Sequence, residues 1–190
     1  MLIHDQLTAK TSEPAVVACE TQLGWMALAH GRGKLQGLVF GHPTKKAALA
    51  SINVFADFAH DSLQDASTDW GAAWIDELKS RLVAYAGGDP IAFDDVPLAQ
   101  DHLSQFARRV VRHCRRVPYG GSISYGDLAA QCGSPGAARA VGRVMASNRF
   151  PLIVPCHRVL GAGGKLGGFS APQGVSMKRR LLEMESRTAP

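Results

Sequence analysis

"YGGSISYGDLAAQCGSPGAARAVGRVMASN" (residues 119–148) decides how this chain is to be understood. Ser124 stands just before a short helical run that reaches Gln131, where its side chain can cap the free N–H groups. "CGSPG" is a tight turn, and Ser134 with Pro135 after it has the form of a second helix start. Helix, glycine-containing turn, helix is the helix-turn-helix pattern. The second helix is mostly small, with Gly136, Ala137, Ala138, Ala140, Gly142 and Ala146, so its backbone can approach another surface closely. That surface is either a neighbouring helix or a nucleic-acid groove. Arg139 and Arg143, one turn apart, favour the groove.

Upstream, "SQFARRVVRHCRRVP" (104–118) predicts a helix capped by Ser104 and ended by Pro118. Phe106, Val110, Val111 and Cys114 form its apolar stripe, and five arginines cover the rest. "DPIAFDDVPLAQD" (89–101) is extended and proline-punctuated, a candidate linker. It places a boundary near residue 98, giving units 1–98 and 99–190. In the first unit "AVVACE", "WMALAH" and "LQGLVFG", separated by "TQLG" and "GRGK", predict a strand meander. "TKKAALASINVFADFA" (44–59) has helical spacing, with Ala48, Ile52, Phe55 and Phe58 on one side. "DSLQDASTD" (61–69) is a polar loop, and "WGAAWIDELKSRLVAYAGG" (70–88) is a helix ending at a glycine pair. His4, His30, His42 and His60 are scattered, and this half shows no catalytic constellation. The fold class is α+β.

The 190 residues suffice for one generous domain or two small ones. The net charge of +5 hides an asymmetry: residues 1–100 carry 7 Lys/Arg against 12 Asp/Glu, residues 101–190 carry 14 against 4. A basic half suggests a polyanion partner, against the alternative of a solvated basic face. No apolar run is long enough to span a membrane, and "MLIHDQLTAK" lacks the pattern of a secretion signal. Cys19, Cys114, Cys132 and Cys156 form no CxxC and no regular spacing, so a reduced, cytoplasmic setting is expected and no zinc site.

Downstream, "RFPLIVP" (149–155) is an extended apolar segment that leads into Cys156, His157, Arg158 and Val159. The glycine-rich loop "GAGGKLGGFSAPQG" (161–174) follows, and then "VSMKRRLLEMES" (175–186) as a closing helix. Cysteine acts as its thiolate, which an adjacent base or positive field favours. Neighbouring side chains on an extended backbone point apart, so His157 would act on Cys156 through a water or across a turn at the cysteine. Glu183 and Glu185 are the candidate carboxylates to orient the imidazole. The alternative is an inert buried cysteine.

"PCHRV", with Asn148 upstream and "ISY…AARAVG" further back, resembles the O6-alkylguanine-DNA alkyltransferases, the methylated-DNA–protein-cysteine methyltransferases. The resemblance is dense over about residues 100–186 and looser in "ETQLGWMALA" and "LVFGHP". It implies a small RNase-H-like sheet-plus-helix domain followed by a mainly helical domain with a helix-turn-helix. It further implies direct reversal of damage in double-stranded DNA: the alkyl group of O6-alkylguanine, and of O4-alkylthymine, passes irreversibly to Cys156 after base flipping. On the same resemblance His157 is the base through a water, Glu185 its orienting partner, Asn148 a hinge and Tyr125 a donor to the guanine ring. Arg139 is the finger that enters the base stack, with Ser124, Ala137, Ala138 and Arg143 along the DNA. Met145, Pro151 and Val159 line the pocket, with Ser170 beside O6 and the carbonyls of Cys156 and Val159 accepting from the guanine amine. The loop after Phe169 is longer than in some members, and Phe169 stands where some have Tyr. A monomer without metal or cofactor is implied. Other functions for such a chain are an alkylation-sensing helix-turn-helix regulator, a lesion-binding protein of the kind that lacks the cysteine, and a cysteine hydrolase.

Overall fold

Three apolar runs joined by glycine turns form an antiparallel sheet of β1 (Ala15–Thr21), β2 (Gly24–Gly31) and β3 (Lys34–His42), as the meander predicts. The computed structural model describes residues 15–53 and 72–188; Phe55, Phe58, the loop 61–69, Trp70, His4 and His60 lie outside the described residues. Arg32 and Gly33 join β2 to β3 with φ of 52° and 70°, the positive values a two-residue hairpin turn needs. Alternation along the strands gives the sheet two apolar faces. Ala27, Ala29 and Val39 meet Ala48 and Ile52 of α1 (Lys45–Ile52), while Met26, Leu28, Leu38 and Phe40 face the main core. Thr44 caps α1 by accepting from the Ala47 N–H at 3.1 Å. On the main-core side α2 (Ala72–Ala86) buries Ile75, Leu78, Leu82 and Tyr85, a helical stripe.

The stretch 89–98 is packed rather than free. Leu35 donates to the Pro97 carbonyl and accepts from Ala99 N–H, both at 2.8 Å, so this stretch extends the edge of β3. α3 (Gln105–Arg115) begins at the Ser104 cap and buries Ala107, Val110, Val111 and Cys114, as its stripe predicts. Arg115 reaches back to the carbonyls of Phe93, Asp94 and Val96. One hydrophobic core therefore runs from β2 and α2 into α3 and beyond without a break at residue 98.

β4 (Ile123–Ser124) lies parallel to β5 (Val159–Leu160), which sets the start of α4 (Tyr125–Gln131) beside the cysteine segment. Ser124 caps α4 as expected, accepting from Asp127 N–H at 3.0 Å. The second helix starts later than Ser134 and Pro135 predict: α5 spans Ala138–Ala146. Gly136 sits at φ 88°, and the Ala137 N–H closes a turn onto the Ser134 carbonyl, so the chain cannot enter the helix before Ala137. The extended strand expected over 149–155 is also corrected. These residues form a buried turn with Leu152 at φ 71°, and strand pairing is confined to β5. Asn148 supplies what a neighbouring strand would have supplied: its Oδ1 accepts from Phe150 N–H and its Nδ2 donates to the Val154 carbonyl, at 3.0 and 2.9 Å. α6 (Val175–Thr188) closes the described chain.

Candidate active site

Cys156 opens a single 3-10 turn, Cys156–Arg158, packed against α6. The turn removes the alternation that an extended chain would impose on Cys156 and His157. The thiol is buried, at 4 % exposure. Burial pushes its pKa up, against donation from Asn148, the charge of Lys178 and the N–H groups of Cys156 and His157, which pull it down. Cys114 is buried nearby, and burial outweighs the pull of Arg158 and Lys178 and pushes its pKa far above the ordinary range, so it is a core thiol.

His157 is fully buried. Its Nε2 lies 2.8 Å from Glu185 Oε1 and 3.2 Å from the Tyr85 hydroxyl, while its Nδ1 has no partner among the described residues. Burial lowers the imidazole pKa, with Glu185 opposing and Arg158 and Lys178 assisting. The ring is thus neutral near pH 7. A carboxylate can only accept, so the ring proton belongs on Nε2, and Nδ1 presents its lone pair.

Glu185, not Glu183, is the orienting carboxylate: it is fully buried, whereas Glu183 is exposed. Arg158 grips it twice, Nε to Oε2 at 3.0 Å and Nη2 to Oε1 at 2.9 Å. Gly120 N–H adds a bond to Oε2 at 3.2 Å, and the Tyr85 hydroxyl donates to Oε1 at 2.5 Å. Burial pushes this carboxyl up, but the donors on His157 and Arg158 outweigh it and hold its pKa at about 2. Arg158 is itself fixed by the Val117 carbonyl at 2.6 Å. Such a paired charge is tolerated because every oxygen is satisfied.

Lys178, on α6, is the second buried cation beside the cysteine turn. Its Nζ donates to the Val159 carbonyl at 2.7 Å and lies 5.9 Å from the Tyr125 ring centre. It makes no ion pair among the described residues, so its field acts on the thiols, Cys156 first. Met177, Lys178, Leu181 and Glu185 all lie on the buried face of α6. That spacing was a legible signal for Lys178, which the sequence reading missed along with Arg158. Tyr85 carried no signal: it comes from α2, 100 residues before Glu185, in the half that showed no catalytic constellation.

Cys156 interacts with Asn148 and with the half-buried Tyr125, and His157, its neighbour in the chain, is bonded to Glu185, while Met145, Pro151 and Val159 are buried. Arg139 and Arg143 are exposed on α5, with Ala137 and Ala138 at its start, and the Ser124 hydroxyl is taken up by its cap and by Asp127 at 2.6 Å. Ser170 is exposed on the glycine-rich loop, and the Val159 carbonyl already accepts from Lys178. That loop is held to the sheet by Phe169 against Phe40 and by Gln173 donating to the Gly41 carbonyl at 2.6 Å. No described helix is long and apolar enough to cross a membrane.

Known proteins resemble this chain in sequence and in fold. A family profile described as "6-O-methylguanine DNA methyltransferase, DNA binding domain" matches residues 105–187. The methylated-DNA–protein-cysteine methyltransferase of Mycolicibacterium paratuberculosis is 45 % identical over 111 residues, 58 % of this chain and 64 % of that protein. The chain thus aligns with less than two thirds of that relative's length. The protein of the same name from Methanopyrus kandleri is 44 % identical over 60 % of this chain and 83 % of its own length. The crystal structure of Mycobacterium tuberculosis OGT in complex with DNA superposes with a TM-score of 0.67, at 32 % identity, covering 93 % of this chain and 95 % of that one.

Proposed function

The chain belongs to the methylated-DNA–protein-cysteine methyltransferase family, and from that premise we propose that it repairs DNA by taking the alkyl group of O6-alkylguanine, and of O4-alkylthymine, onto Cys156. The observation that carries this proposal is a buried thiol set between Asn148 and Lys178, with a neutral imidazole held by Glu185 next to it in the chain. The thiol proton passes through a water to Nδ1 of His157, while Glu185 and Arg158 keep the ring from turning. The thiolate attacks the alkyl carbon in line, the carbon–O6 bond breaks, and its electron pair leaves with guanine. Tyr125 donates toward the ring as that charge develops, and the proton lost by the thiol is matched by the one guanine gains. The product is a thioether, which water does not hydrolyse, so each chain acts once.

The target base must leave the duplex to reach a thiol only 4 % exposed. In this proposal α4 and α5 act as a helix-turn-helix in which Ala137, Ala138 and Gly142 allow close approach. Arg139 fills the gap in the stack, Arg143 meets phosphate, and Ser124 lies along the same surface. Asn148 links α5 to the cysteine turn, and Met145, Pro151, Val159 and Ser170 border the base. The chain works as a cytoplasmic monomer, with residues up to 98 forming an RNase-H-like unit beneath the repair half.

The test is incubation with duplex DNA carrying methyl-labelled O6-methylguanine, followed by intact-mass analysis. One methyl per chain at Cys156, none in Cys156→Ala, and retained duplex binding in that variant are expected. Label at another cysteine, or a variant that still takes up label, overturns the assignment.

A further inference from the structure

We infer that Tyr85 is a positioning residue for the transfer: its hydroxyl fixes the tautomer of His157 and tempers the pull of Glu185 on that ring. The inference rests on Cys156 and His157 working as proposed above. Tyr85 is fully buried on the last turn of α2, edge-on to Phe93 and Tyr119 at 5.8 and 5.9 Å. Its oxygen faces two groups, Glu185 Oε1 at 2.5 Å and His157 Nε2 at 3.2 Å. The hydroxyl has one proton to give. The carboxylate accepts only and is the nearer, so the proton goes to Glu185. The lone pairs that remain then face Nε2, which must carry hydrogen to meet them. This gives the Nε2–H a second acceptor besides Glu185 and leaves Nδ1 as the free base. Burial and Glu185 push the phenol pKa well above its ordinary value, so the donation persists across the working pH range.

The second effect is on charge. Oε1 already accepts from His157 and Arg158, and each donor takes up part of its negative charge. A carboxylate relieved of the tyrosine proton would hold an imidazolium more strongly. The other charged groups acting on this ring are Arg158 beside it and Lys178 on α6, and Arg158 and Tyr119 act on the Tyr85 phenol. All of these stay in place when only the hydroxyl is removed.

Tyr85→Phe in the full chain is therefore the decisive change, read as the pH profile of transfer to free O6-benzylguanine, which needs no DNA. The acid limb should move to higher pH by about half a pH unit, a further loss of roughly threefold on the acid side with the plateau little changed. A residue that merely fills space would lower the rate evenly and leave the limb where it was. That result, or an unaltered profile, overturns the inference. If the variant does not fold, the unsubstituted chain still decides: its Tyr85 hydroxyl proton should be a downfield, slowly exchanging resonance close to the His157 ring. Free exchange with solvent counts against the bond. An unsubstituted chain that takes up no alkyl group would instead overturn the transfer mechanism itself.

Discussion

At residue scale, the cysteine turn is a cluster of charges that water would otherwise hold, and their pairing makes the fold depend on pH. Glu185 has a folded pKa of about 2, against an ordinary value of 4.5. Its pKa is depressed on folding, so its stabilisation is complete above about pH 4.5 and is lost as pH falls from there toward 2, about 3 kcal/mol in all. His157 acts in the same direction for the opposite reason. Burial depresses its pKa below the ordinary 6.5, so the unfolded chain binds that proton first and stability starts to fall below about pH 6.5. Urea unfolding followed from pH 7 to pH 3 should show a decline in two stages, and Glu185→Gln should remove the lower one. A single flat curve over that interval would mean the cluster is not held as described. Of this cluster the sequence revealed Cys156, its histidine and two possible carboxylates. Burial chose between the carboxylates, and no sequence pattern announces which of two acids a helix turns inward until the neighbouring stripe of Met177, Lys178 and Leu181 is read with it.

At the scale of elements, helices were legible wherever a side-chain cap and an apolar stripe coincided. Ser104 and Ser124 both start helices where their positions predict, because each needs only its own side chain and an N–H three residues on. Ser134 does not, because Gly136 takes a positive φ that the sequence permits but does not demand. The segment 149–155 failed for a related reason: its hydrophobicity is real and its residues are mostly buried, but Asn148 and the prolines Pro151 and Pro155 fold it into turns. Burial alone does not distinguish a core strand from a core turn. The same helix pair sets the element-scale prediction. Arg139 is exposed at the start of α5, away from the buried cluster. With Arg139 filling the base stack as proposed, Arg139→Ala should lower the rate of repair in duplex DNA by about 5- to 150-fold, since lost stacking costs on the order of 1–3 kcal/mol. Transfer to free O6-benzylguanine should be unchanged within error. Equal losses on both substrates would place Arg139 in the chemistry or the fold instead.

For the whole molecule, the consequential fact is that the core crosses the sequence boundary near residue 98. The composition shift and prolines that mark that boundary are real, but they lie on the surface of a shared interior. Leu38 N–H of β3 bonds to the Arg149 carbonyl, Phe40 packs on Phe169, and Tyr85 of α2 ends inside the buried charge cluster. Contacts between halves were the part of the fold least legible in sequence, since each needs two residues whose neighbourhood depends on the fold already being formed. They make the alkylated state a concern for the entire chain. Cys156 sits among residues with almost no exposure, beside Val154 and Val159 at 0 % and Asn148 at 8 %. A methyl added to sulfur has to displace packed atoms, and overpacking of one carbon costs about 1–3 kcal/mol. It also ends the interaction of a thiol or thiolate with the Asn148 amide and with Lys178, both of which then face an uncharged thioether. Because the core is continuous, this loss should appear in a single cooperative melting transition rather than in one half alone, lowering Tm by roughly 2–4 °C for each kcal/mol. Scanning calorimetry before and after stoichiometric methylation tests this. An unchanged Tm would mean that the turn at Leu152 and Cys156 relaxes to accept the methyl, and two separated transitions would mean that the halves unfold independently despite their shared core.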